Sequence, residues 1–161
     1  MRVLVAIAAI TVFATGCGSE DESATTTAGT GGAPEAQATE PFGAYERNVT
    51  QAEIEEKGET DRPEGWTAPL SGIYRLTLNE GSVIVVDPDG LSIAQEASVS
   101  DRTLNIGRYI GSKGIGFCAD DAPASYAVEA TADELVLSAT SEECGDREAI
   151  LAGTWTKSSD G

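Results

Sequence analysis

Gly72-Ile73-Tyr74-Arg75-Leu76-Thr77-Leu78, then Asn79-Glu80-Gly81, then Ser82-Val83-Ile84-Val85-Val86, decides the fold of this chain. In the first run Tyr74, Leu76 and Leu78 fall on one face, and Arg75 and Thr77 on the other. A period of two is the mark of a strand with one buried face. Asn79-Glu80-Gly81 reads as a turn, and residues 82–86 as the returning strand. That strand is apolar on both faces, so the pattern does not say which face it turns inward. Asp87-Pro88-Asp89-Gly90 is a strong turn signal. Further short strands are expected over residues 91–99, 103–107, 115–118, 125–130, 134–140 and 149–156. Turns are expected at Ser100-Asp101-Arg102 and Thr131-Ala132-Asp133, and Leu151 and Trp155 share a face of the last strand. About eight short strands at close spacing argue for an all-β, antiparallel barrel or sandwich. Closing the sheet also removes its exposed edges.

Ahead of this run, Thr50 and Glu53 form a capping box, and Val49 and Ile54 occupy hydrophobic-staple positions. A short helix through Lys57, ending at Gly58, is expected. Residues 59–70 hold two prolines and a glycine and read as a connector, with Trp66 a packing anchor. The folded region, residues 42–158, suits one domain with one core.

Further toward the N-terminus the composition changes. Met1-Arg2 is a short positive start, and residues 3–14 are nearly all apolar. Twelve helical residues span about 18 Å, too short for a hydrocarbon core of about 30 Å. The length suits a secretory signal over residues 1–16. Ala14-Thr15-Gly16-Cys17 resembles the lipobox of bacterial lipoproteins, with alanine where leucine is usual. The resemblance implies that the Cys17 thiol is lipidated and becomes the first residue after cleavage. The chain would then be held at the extracytoplasmic face of the cell membrane by this lipid. The alternative is an ordinary secretory signal with a chance cysteine. Residues 18–40, rich in Ser, Thr, Gly, Ala and acids, cannot bury enough surface to order themselves. Residues 17–41 therefore read as the lipidated cysteine and a tether, with a reach of roughly 25–30 Å.

Three cysteines are an odd number for an exported chain. Lipidation of Cys17 leaves Cys118 and Cys144, and a disulfide between them is expected. A metal pair or two free thiols are the alternatives; with no histidine in the chain, the two cysteines make a poor metal site. The net charge of −17 sets the chain against nucleic acid and against anionic headgroups. Absent histidine also excludes Ser-His-Asp and Cys-His catalysis. Gly111-Ser112-Lys113-Gly114-Ile115-Gly116 lacks the Walker ending and reads as a loop. The carboxylate pairs Asp87/Asp89, Asp120/Asp121 and Glu142/Glu143 fall in expected turns and read as solvated groups. The last two pairs flank the cysteines, so a bridge would gather them into one acidic patch. No catalytic residue, metal site or cofactor is expected, and a monomer is.

Gly72-Ile73-Tyr74, the hairpin after it, Cys118, Tyr126, Leu135-Val136-Leu137, Cys144-Gly145-Asp146-Arg147 and Trp155 together resemble a lipocalin-like, calycin-type domain. In order they are similar to small lipoproteins of high-GC Gram-positive bacteria. The resemblance implies an eight-stranded barrel with one short N-terminal helix. It also implies a late arginine, for which Arg147 is the candidate, packed on the aromatic of Gly72-Ile73-Tyr74, where tyrosine stands in place of the usual tryptophan. A small apolar or amphipathic ligand is implied in the barrel, against Tyr74, Leu76, Leu78, Val128, Leu137 and Trp155. Eight strands leave room for side chains or one small ligand only. The competing expectation is a non-catalytic interaction module whose barrel is filled.

Overall fold

The computed structural model describes residues 40–62, 64–111, 116–118 and 122–159. The expected export signal, Cys17, the expected tether as far as residue 39, and Asp120 with Asp121 lie outside the described residues. Eight antiparallel strands close into a barrel in chain order. They are β1 (Gly43–Val49), β2 (Gly72–Asn79), β3 (Ser82–Val86), β4 (Ser92–Ser100), β5 (Thr103–Tyr109), β6 (Ala124–Ala130), β7 (Glu134–Ser141) and β8 (Gly153–Lys157). Helix α1 (Gln51–Lys57) links β1 to β2, and α2 (Gly145–Leu151) links β7 to β8. The fold is compatible with a lipocalin-like barrel.

The run that decides the fold behaves as its pattern demands. Tyr74, Leu76 and Leu78 are buried while Ile73 and Arg75 face out. Register then settles β3: Leu76 pairs with Val85 and Leu78 with Val83, so those valines turn inward and Ile84 and Val86 outward. In β4 a bulge between Gln95 and Ala97 breaks the ladder to β5. There the buried Gln95 donates Nε2–H to the carbonyl of Gly107, 3.1 Å away, so the break leaves no orphaned acceptor. Helix α1 carries both halves of its capping box, the Glu53 amide to Thr50 Oγ1 (3.3 Å) and the Thr50 amide to Glu53 Oε2 (2.7 Å).

Three strands open on the same device. Gly43-Ala44-Tyr45, Gly72-Ile73-Tyr74 and Gly153-Thr154-Trp155 each begin with a glycine at φ of 140°, 143° or 138°. Each places an aromatic ring in the core with its polar atom on the carbonyl four residues back. Tyr45 Oη donates to Pro41 (3.0 Å), Tyr74 Oη to Leu70 (2.8 Å) and Trp155 Nε1 to Leu151 (2.9 Å). A buried phenol or indole N–H needs such a partner.

The seam between β1 and β8 is short, with Tyr45 opposite Lys157 and Glu46 opposite Thr156. Beyond it the buried Arg47 fills the gap. Its Nη1 donates to the carbonyls of Ala149 (3.1 Å) and Ile150 (2.5 Å) in the last turn of α2. Its Nη2 meets Glu53 Oε1 at 2.5 Å. The guanidinium lies on Gly153.

Three expectations are corrected. Strand β1 was not expected, because Arg47 on its inward side breaks the apolar alternation. Its presence places α1 between β1 and β2 rather than ahead of the barrel. Residues 149–156 are not one strand: Ala149, Ile150 and Leu151 belong to α2, whose consecutive apolar residues are all buried. Finally, Gly116, Phe117 and Cys118 are not in a strand.

A Cβ at position 153 would lie 2.7 Å from Arg47 Cζ, at a φ that L-residues rarely adopt. Gly153→Ala is expected to cost about 2–4 kcal/mol in urea unfolding. Gly107→Ala, whose added carbon meets only ordinary contacts at 3.5 Å, is expected to stay within about 1 kcal/mol.

Candidate functional site

The six residues expected to line a ligand site all point into the barrel. Tyr74, Leu76, Leu78, Val128, Leu137 and Trp155 are each 5% exposed or less. They pack with Tyr45, Tyr126, Leu104 and, from the helix end, Ile150 and Leu151. A side chain bordering a water-sized void would retain accessible surface on that side. These retain almost none, so the centre of the barrel is occupied by side chains.

Chemistry that the pattern of the chain does not announce sits under the helix end. The side chains of Glu142 and Arg147 are 1% and 0% exposed, and they form an ion pair. Arg147 donates from Nε to Glu142 Oε2 and from Nη2 to Oε1, both at 2.8 Å, and from Nη2 to the carbonyl of Ala122 at 2.8 Å. Glu142 also accepts from Tyr126 Oη and from the Cys144 amide (2.9 Å). Arg147 Nη1 is buried without a hydrogen-bond partner, which deepens the dependence of this cation on its carboxylate. Glu142 was expected to be a solvated loop acid beside Glu143; instead the pair divides, with Glu143 exposed. Arg147 likewise bonds to Glu142 and Ala122, while the phenol of Tyr74 bonds to Leu70.

Burial alone would raise the Glu142 carboxyl. The hydrogen bonds from Arg147, Tyr126 and the Cys144 amide, with the Arg147 charge, outweigh it and hold the group below its ordinary value of 4.5. Burial first, then the Glu142 hydrogen bond and charge, raise the Tyr126 phenol well above its ordinary range. An ionised acid beside a firmly protonated phenol has the form of an acid–base pair, and here the carboxylate and the guanidinium that holds it are both buried. The arrangement holds α2 on the barrel.

The disulfide joins this network. Cys118 Sγ and Cys144 Sγ are bonded at 2.05 Å. Cys144 is the N-cap of α2, and its Sγ accepts the Arg147 amide at 3.5 Å. Cys118 is held from its other side, its amide donating to Tyr109 Oη at 3.0 Å. The bridge thus pins the β5–β6 connection to the start of α2. A third clasp is Asp146, which is buried and accepts from Arg62 Nε (2.7 Å), Arg62 Nη2 (2.5 Å) and the Glu59 amide (2.9 Å). Asp87 plays the turn role expected of it, its Oδ1 accepting the amides of Asp89 (3.0 Å) and Leu91 (2.8 Å). Among the described residues, no group of three or more His, Cys, Asp or Glu is arranged to hold a metal ion.

A carboxyl with a folded-state pKa depressed below the unfolded value, about 4.3, adds stability that is complete above that value. The stability is lost as pH falls through the folded pKa. Urea unfolding from pH 7 downward should therefore weaken below about pH 4.3. Glu142→Gln should remove that component of the slope and cost about 3–5 kcal/mol at pH 7, because it strands a buried cation. Reducing the 26-residue Cys118–Cys144 link should lower stability by about 3–4 kcal/mol on the chain-entropy relation, read as the shift in urea midpoint with and without dithiothreitol.

No family model matches this chain, and no curated protein or solved structure does either.

Proposed function

We propose that this is a lipid-anchored protein of the cell envelope whose lipocalin-like barrel is filled. On this reading it works as a non-catalytic interaction module that meets its partner through its outer surface. One observation carries the reading. The six interior side chains available to a small apolar ligand are already in contact with one another and with the rest of the core, at 5% exposure or less. A ligand would have to displace Trp155 or Tyr74, and both rings are tied to backbone carbonyls. The export signal and the lipobox-like Ala14-Thr15-Gly16-Cys17 support placement outside the membrane. The absence of any histidine, and the burial of the Glu142–Tyr126 pair, support a role without chemistry.

Native mass spectrometry of the protein, exported and gently purified from a bacterial envelope, tests this. The expected mass is that of the processed, lipidated polypeptide less two hydrogens for the disulfide. A reproducible further mass, lost on denaturation, would instead identify the protein as a carrier of a small apolar or amphipathic molecule.

A further inference from the structure

The outer wall of the barrel carries a groove where an antiparallel sheet would be expected to show only polar side chains to water. It has a volume of about 340 Å³ and is lined by Glu46 of β1, Ile73 and Arg75 of β2, Val86 of β3, and Asp87 and Pro88 of the β3–β4 turn. Its apolar floor follows from the register. Because Leu76 and Leu78 fix Val83 and Val85 inward, Ile84 and Val86 face out, and Arg75 stands opposite Val86. Ile73 is 56% exposed, and Leu91, across the same turn, is 46% exposed. The turn wall is built against the barrel: Pro88 lies on Gly72, where a Cβ would come within 2.9 Å of its Cγ.

The charges at the groove are unequal. Arg75 Nε is held by Glu46 Oε1 at 2.9 Å, which neutralises that pair. Asp87 commits Oδ1 to the two turn amides and has Oδ2 left over. The net charge of the lining is thus negative, within a chain of net charge −17. An acidic partner would have to separate Arg75 from Glu46 against that field. A basic one meets it with the favourable sign and is steered toward it. Each described strand of the closed barrel already has a neighbour on both sides, and the groove lies on the outer wall, so recognition there runs through side chains rather than by adding a strand.

We propose that this groove binds a basic–apolar segment of a partner protein. A Lys or Arg head group sits at Asp87, and the adjoining apolar residues cover Ile73, Val86 and Pro88. The proposal rests on the outer-surface reading above and gives it a place and a partner chemistry.

The test is a chemical-shift titration of the full chain, exported and labelled with ¹⁵N. The probes are the acetylated peptide Leu-Lys-Pro-Leu-Lys and two controls, Leu-Glu-Pro-Leu-Glu and Ser-Lys-Pro-Ser-Lys. The first should shift the amides of Ile73, Arg75, Val86, Asp87 and Leu91, and the controls should leave them in place. Ile73→Ser should weaken binding about tenfold. Asp87→Asn should weaken it by up to about fivefold, as for an exposed charge pair. Neither change threatens the fold, since Ile73 is exposed and an asparagine oxygen still accepts the turn amides. Three results would overturn the proposal while leaving an outer-surface module standing. They are equal binding of the glutamate peptide, shifts on another part of the wall, or no shift at millimolar peptide. Shifts concentrated at Leu76, Leu78 and Leu137 would overturn both readings, because they would put the binding site inside the barrel.

Discussion

The β1–β8 ladder stops after two residue pairs, and Arg47 takes over where it stops. A guanidinium taken out of water is tolerated only when its charge and its donors are met. Here Glu53 meets the charge, and the last carbonyls of α2 take the donors. One side chain therefore sets three positions: β1 against β8, α1 through the acid of its own capping box, and α2 through its C-terminal turn. The same demand explains Gly153. A side chain there would occupy the place of the guanidinium, and the seam would have to open to admit it.

With the seam closed in this way, the core is set by the three Gly-x-aromatic openings. In each, a glycine at positive φ lets the chain turn sharply into its strand. The ring two residues later then swings inward, and its polar atom reaches the carbonyl four residues back. Tyr45, Tyr74 and Trp155 are large, and each is fixed at two points, by its strand and by that hydrogen bond. Leucines and valines from β2, β3, β5 and β7 complete the interior between them. A barrel of eight strands has little width to spare. Three anchored aromatic rings are enough to make it solid.

Much of this was legible in the residues, and what escaped did so for physical reasons. Period-two alternation placed β2, β4, β6 and β7. The capping box placed α1 to the residue, and Asp87-Pro88-Asp89-Gly90 placed the β3–β4 turn. Pattern reading fails where a charge is buried, since alternation treats every charge as solvent-facing. Arg47 hid β1 for that reason, and Glu142 read as a loop acid. Local signals existed for both. Gly43-Ala44-Tyr45 and Gly153-Thr154-Trp155 repeat the motif read at Gly72, and Arg147 follows Glu142 beside a cysteine cap. Their meaning depends on partners about a hundred residues away, Arg47 with Ala149 and Ile150, which no local window contains. Helix α2 escapes the pattern because its Asp146 and Arg147 are buried with Ala149, Ile150 and Leu151, so its seven residues show no polar face opposite an apolar one.

The burial of these charges also shapes the outside. Six of the eight described Lys and Arg residues, Arg47, Lys57, Arg62, Arg75, Arg108 and Arg147, are each paired with a carboxylate. Those of Arg47, Arg62 and Arg147 act as internal brackets that join helices, connector and barrel. The chain has ten Lys and Arg against twenty-seven Asp and Glu, so positive charge is scarce and much of it serves architecture. Among the described acids, Glu80, Asp89, Asp101, Glu129 and Asp133 are exposed. A filled core, a closed sheet and a negative net charge thus go with the same construction. Together they are the features on which the proposed recognition rests, by side-chain contact at an outer groove with a partner of positive charge.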